Sequence, residues 1–173
     1  MAKYELIQVG GSTFTAAITN YSLSLGEKLH FIKTSQLSEL VKIPYAKVVI
    51  YLAILGSNKN LHLPLNNFLD DYTPDGELMM KHYKNILEGC SKIKDNRFAE
   101  GFRNSVDKTK GKGQKTILNP QLNIECVEDR YVLYTLVSGI DSDIFWYYPI
   151  PDVERIYESK QASDSWKNSP KTQ

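Results

Sequence analysis

The chain has 173 residues, 42% of them hydrophobic and 24% charged, enough apolar material for one packed domain that needs no disulfide or metal staple. Lys and Arg total 21 against 20 for Asp and Glu, so the net charge of +1 excludes a global electrostatic pull toward nucleic acid or membrane, and any anion site must be local. The longest strongly apolar run, Val48 to Leu55, falls far short of the roughly 20 residues of a membrane span, and the Met-Ala-Lys-Tyr-Glu start leads into no signal-like apolar stretch. A cytoplasmic protein is expected, with no membrane partner. Residues 1–158 are expected to form one domain, and 159–173, where Trp166 stands alone among polar residues, a flexible tail.

Tyr4 to Val9 reads as a strand, broken by Gly10, Gly11, Ser12 and Thr13, small residues that permit a tight turn or a close approach of backbone to a ligand. Beyond them Phe14, Ala17, Ile18, Tyr21 and Leu25 share one face at helical spacing, which favours a helix capped by Ser12 or Thr13. The alternation of Phe14, Ala16 and Ile18, with the abundance of Thr and Ser, keeps a pair of strands as the alternative. Leu29 to Lys33 reads as a second strand ended by Thr34 and Ser35, and Ser35 can cap a short helix over Gln36 to Lys42 that Pro44 stops. Lys47 to Leu55, apolar and rich in Val and Ile, reads as a strand covered on both faces, ending at Gly56, Ser57 and Asn58.

Thr73 and Pro74 open the best helix, Pro74 to about Lys92, with Met79, Tyr83, Ile86, Cys90 and Ile93 as its core face. Asn96 opens another short helix with Phe98, Phe102 and Val106 inward. From Asp107 onward Lys108, Lys110, Lys112 and Lys115 alternate with Thr109, Gly111 and Gly113, a mobile basic loop whose charge suits nucleic-acid phosphate. Lys115 to Leu118, Leu122 to Val127, Arg130 to Val137 and Ile144 to Ile150 read as four short strands, with Glu128 and Asp129 as a hairpin turn. The expected fold class is α/β, with a parallel Rossmann-like amino-terminal half and antiparallel strands in the carboxy-terminal half. The alternative is α+β with an amino-terminal hairpin.

Cys90 and Cys126 lack CxxC spacing, and His30, His62 and His82 have no second ligand at the spacing of a metal-binding helix, so no metal or cofactor is implied. His62, between Leu61 and Leu63, reads as a surface or edge-strand residue. Three strand ends carry the candidate ligand-binding residues: Gly10, Gly11, Ser12 and Thr13; then Lys33, Thr34 and Ser35; then Ser57, Asn58 and Lys59. In a parallel sheet these loops would line one crevice beyond the carboxyl ends of the strands, where ligands bind. A helix starting at Ser12 or Thr13 would offer unpaired N–H groups to phosphate, with Lys33 and Lys59 adding charge. Neither GxGxxG nor GxxxxGK[ST] is present, and no residue is assigned a catalytic role. Phe145, Trp146, Tyr147 and Tyr148 would put rings on both faces of a strand, one face in the core and the other free to stack a base or meet a partner.

The strand ending Val-Gly-Gly-Ser, the helix after it and the strand ending Phe-Ile-Lys-Thr-Ser, over about residues 4–40, resemble the first unit of CRISPR-associated Rossmann-fold (CARF) sensor domains. That resemblance implies a cyclic oligoadenylate bound at the strand ends of a homodimer, slow ligand cleavage in some members and a role in antiviral defence. Gly10, Gly11, Ser12 and Thr13 would match the first ligand loop, and Lys33, Thr34 and Ser35 the second. No later Gly-Gly-Thr-Lys-like loop and no effector nuclease is present, so the implied form is a stand-alone ligand-binding or ring-opening protein. A competing class is a viral or mobile-element protein acting by protein contact, without catalysis. The first reading needs a helix after Ser12; the second does not.

Overall fold

In the computed structural model, which describes residues 4–90, 96–109 and 124–169, Gly10 and Gly11 make a two-residue hairpin turn instead of a strand–helix junction. Strands Glu5–Val9 (β1) and Ser12–Ala16 (β2) pair antiparallel, with Val9 opposite Ser12 and Ile7 opposite Phe14. Gly10 has a φ of +55°, and a glycine at the first central position is what a type II′ turn requires. The period of two then sorts the side chains, with Ile7, Val9 and Ala16 inward and Leu6 and Gln8 outward. Both sequence alternatives for residues 13–25 hold in part: a strand to Ala16, then a helix, Asn20–Lys28 (α1). Thr19 caps that helix: its hydroxyl accepts from the Ser22 N–H at 3.1 Å, and Ser22 Oγ accepts from the Thr19 N–H at 3.2 Å.

The parallel sheet does not form. Among the described residues the sheet is the β1–β2 pair alone, and the two segments expected to join it are otherwise. Leu29 to Lys33 is turn and bend leading to a four-residue helix, Leu37–Leu40 (α2). Ala46–Ser57 (α3) is a helix whose residues Val49 to Gly56 are all buried. A run that is apolar all round carries no amphipathic period, so pattern cannot separate an enclosed helix from a strand covered on both faces; here length and enclosure decide for helix. α3 is the central post, contacted by β2, α1, Leu65–Asp71 (α4) and Gly76–Gly89 (α5). The hairpin is sewn to it by Ala17 N–H donating to Ala53 O at 3.3 Å.

α5 packs through the expected face, with Ile86 buried and Met79, Tyr83, Leu87 and Cys90 against the same core, although its cap is Asp75 and not Thr73. Ile93 lies outside the described residues. Asn96 does begin the next helix, Arg97–Thr109 (α6), but Phe98 is exposed and Ala99 is the buried residue. Lys108 falls on α6; Lys110, Lys112 and Lys115 lie outside the described residues.

Of the expected carboxy-terminal strands, Lys115 to Leu118 and the start of Leu122 to Val127 lie outside the described residues, whereas Arg130 to Val137 and most of Ile144 to Ile150 are helical. Val127–Tyr131 (α7) continues into a π-helical segment, Val132–Val137, followed by Ser142–Tyr147 (α8) and Ile150–Lys167 (α9). Aromatic and β-branched content suggested strands, but polar residues at the helix starts decide otherwise. Asp129, read as a turn residue, accepts from the Glu125 and Cys126 N–H groups at 3.0 and 3.1 Å, and Asp141 caps α8 by accepting from Asp143 and Ile144 at 2.8 and 3.3 Å. Pro151 occupies the first turn of α9, where a missing N–H costs nothing. These elements enclose a second cluster of Val127, Tyr134, Ile140, Phe145 and Val153. Residues 159–167, expected in a flexible tail, extend α9 along α6, with the Trp166 and Phe102 rings 5.5 Å apart. No described helix is long and apolar enough to cross a membrane.

Candidate functional site

The three loops expected to share a crevice go to three separate places. Gly10 to Thr13 form the exposed hairpin turn, Gly10 N–H donates to Asp71 O at 3.1 Å, and a side chain at Gly11 would meet nothing within 4 Å. There is no helix start here to hold phosphate. Lys33 lines an open depression of about 670 Å³ with Glu27, His30, Glu39 and Lys42. Lys42 bonds Glu39 and, with help from the Lys33 N–H, holds its carboxyl below the ordinary range, so the two lysines face two carboxylates and not a free anion site.

Thr34 is exposed and Ser35 fully buried. Ser35 Oγ accepts from Val127 N–H at 2.9 Å, which makes it a cap for α7 supplied from a distant segment. Gln36 Nε2 to Glu125 O at 3.0 Å and Arg130 Nη2 to Ser35 O at 3.4 Å complete that clamp.

Ser57 and Asn58 fasten the hairpin to the end of α3. Ser57 Oγ accepts from Ala17 N–H at 2.8 Å, while Asn58 Nδ2 donates to Thr15 O and Ile54 O, both at 2.7 Å, and Asn58 Oδ1 accepts from the Thr15 hydroxyl at 3.2 Å. Their polar atoms are spent on structure. Lys59 reaches across to α8, where Nζ lies 2.5 Å from Asp143 Oδ2 and 5.7 Å from the centre of the Tyr147 ring.

That corner borders a groove to which one of the strand-end candidates, Asn58, contributes, while its other lining residues come from elsewhere. Tyr21, Leu25 and Leu29 on and just after α1, and Tyr51 and Leu55 on α3, form two stripes four residues apart; Leu61 to Pro64 and Tyr147 of α8 close it around a cavity of about 330 Å³. The Tyr21 and Tyr147 rings meet at 5.3 Å with a 42° tilt. Tyr51 is pinned, its hydroxyl donating to Leu63 O at 2.8 Å, and burial pushes its phenol pKa up. Burial raises that of Tyr147 also, with Tyr21 adding to the shift. Asn60 lines the groove at φ +64°, a left-handed conformation that asparagine tolerates better than most residues. His62 is exposed on its lip. Sequence held two of the signals: the consecutive aromatics that include Tyr147, and a histidine set between two leucines.

A second polar constellation is structural. Tyr72 Oη lies 2.9 Å from His82 Nδ1, His82 Nε2 is 3.9 Å from Glu5 Oε1, and Asn85 Nδ2 donates to Glu5 Oε2 at 3.1 Å. The chain of contacts joins β1, the end of α4 and α5. Burial, then the Glu5 charge, pushes the Tyr72 phenol up to about 12, and at 1% exposure its hydroxyl meets no substrate. Burial pushes the Cys90 thiol up to about 11, which disfavours its thiolate form.

Compared with family models, curated proteins and solved structures, the chain gives no match.

Proposed function

We propose that this chain is a binding protein for a planar, nucleotide-like ligand whose base inserts into the groove between α1, α3 and α8. The observation that carries the reading is the wall of Tyr21, Tyr51 and Tyr147 beside Leu25, Leu29 and Leu55. Its cavity of about 330 Å³ falls at the small end of ligand pockets, roughly 300 to 1,000 Å³. Aromatic walls hold a ring by stacking, and Asn60 and His62 at the lip supply donors and acceptors for its edge. Because a stacked base is worth about 1–3 kcal/mol by alanine substitution, Tyr147→Ala should weaken binding by about tenfold or more. Thermal shift with the four common nucleosides and their monophosphates, followed by calorimetry of the best, checks it. Failure of every probe to raise the melting temperature, or equal affinity of wild type and variant, would sink the reading.

A separate observation favours a second reading, action by protein contact. Val132, Leu136 and Val137 on the π-helical segment are 49%, 67% and 71% exposed, an aliphatic patch on a helix form common at functional sites. The homodimer is the simplest case. Sedimentation should then show a dimer that Leu136→Glu with Val137→Glu dissociates, and a monomeric wild type at all concentrations would remove it.

A further inference from the structure

We infer that the groove selects an uncharged planar ligand, a free base or nucleoside, over its phosphorylated form, and that Asp143 sets this choice. The inference rests on the groove reading above and concerns the charge at the groove's α8 corner.

The cation at that corner is Lys59. Its ammonium is bound to Asp143 at 2.5 Å and sits 5.7 Å over the Tyr147 ring. Asp141, the cap of α8, is near enough to act on the same ammonium, and its carboxylate is fixed by the Asp143 and Ile144 N–H groups. One ammonium against two carboxylates leaves one net negative charge. The groove lining consists of tyrosine, leucine, asparagine, proline and the exposed His62, so among the described residues no lysine or arginine lines it.

A phosphate needs charge-assisted donors. At this corner it would either draw Lys59 from its carboxylate or sit beside Asp143 and Asp141 and be repelled. A neutral ring escapes both penalties and keeps the stacking. The α8 cap and the lysine that follows the end of α3 thereby become a charge filter beside an aromatic slot.

The test uses the full chain, calorimetric titration at low salt, and adenosine, cytidine, guanosine and uridine with their 5′-monophosphates as probes. Wild type should bind its best nucleoside about tenfold tighter than the matching monophosphate. Asp143→Asn removes one charge at an exposed position and frees Lys59, so it should bring the pair within about threefold by strengthening the monophosphate while nucleoside affinity stays put. Its melting curve, which should match wild type, verifies folding. Monophosphate binding as tight as nucleoside in wild type, or a ratio that Asp143→Asn leaves unmoved, would overturn the inference while the groove reading stands. If no probe binds, the groove reading falls and the inference with it.

Discussion

Gly56→Ala should destabilise the protein by about 3 kcal/mol, at the upper end of what overpacking a core costs. α1 crosses α3 at this glycine, and a Cβ there would stand 1.9 Å from Ser22 Oγ and 2.6 Å from Thr19 Oγ1. Neither hydroxyl can step aside cheaply. Ser22 Oγ donates to Leu52 O at 3.0 Å and Thr19 Oγ1 to Gly56 O at 3.2 Å, while both serve the reciprocal cap of α1. Both residues are fully buried, so a displaced hydroxyl would lose its bond without gaining water. The contrast is Gly101→Ala on α6, where a Cβ meets nothing within 4 Å and removing a helical glycine should stabilise by about 0.5–1 kcal/mol. Urea midpoints of the two variants should move in opposite directions; parallel shifts would mean that α1 does not approach α3 through Gly56.

The same crossing shows why the fold was only partly legible. α5 could be read because polar residues alternate with apolar ones at helical spacing, so Ile86 and its stripe were placed correctly from sequence. α3 has no such contrast: β-branched residues at Val48, Val49 and Ile50 spoke for a strand, and only enclosure by β2, α1, α4 and α5 makes it a helix. The roles of Thr19 and Ser22 could not be read locally because their partners, the carbonyls of Gly56 and Leu52, lie thirty or more residues away. The shared crevice of the three loops does not assemble for the same reason. Ser35 lies in a short connection, Ser57 ends α3 and Asn58 follows it, but what each bonds is fixed by tertiary packing: a helix end for Ser35, and the hairpin for Ser57 and Asn58, the last of which also lines the groove. The groove became visible only when Tyr21, Tyr51 and Tyr147 came together.

Phe145→Ala should cost about 3–5 kcal/mol, the usual range for emptying a phenylalanine site in a core. Phe145 is fully buried in the second cluster, with the rings of Trp146, Tyr131 and Tyr134 centred 5.0, 5.4 and 6.0 Å away. Those neighbours are poorly free to collapse into a void. Tyr134 is stacked on Tyr157 at 4.0 Å and its hydroxyl donates to Glu154 at 2.7 Å, so the cavity term should remain. Tyr148→Ala, three residues on and exposed, should cost under about 1 kcal/mol. The consequence reaches the groove, because α8 has only six residues and Phe145 is its anchor, while Tyr147 of the same helix forms the groove wall. A Phe145→Ala protein that still folds should therefore bind the nucleoside probe more weakly than wild type, although residue 145 does not line the cavity. Calorimetry below the variant's melting range, beside the urea titration, decides it: unchanged stability would mean that α8 is not held by this ring, and unchanged binding that the position of Tyr147 does not depend on it.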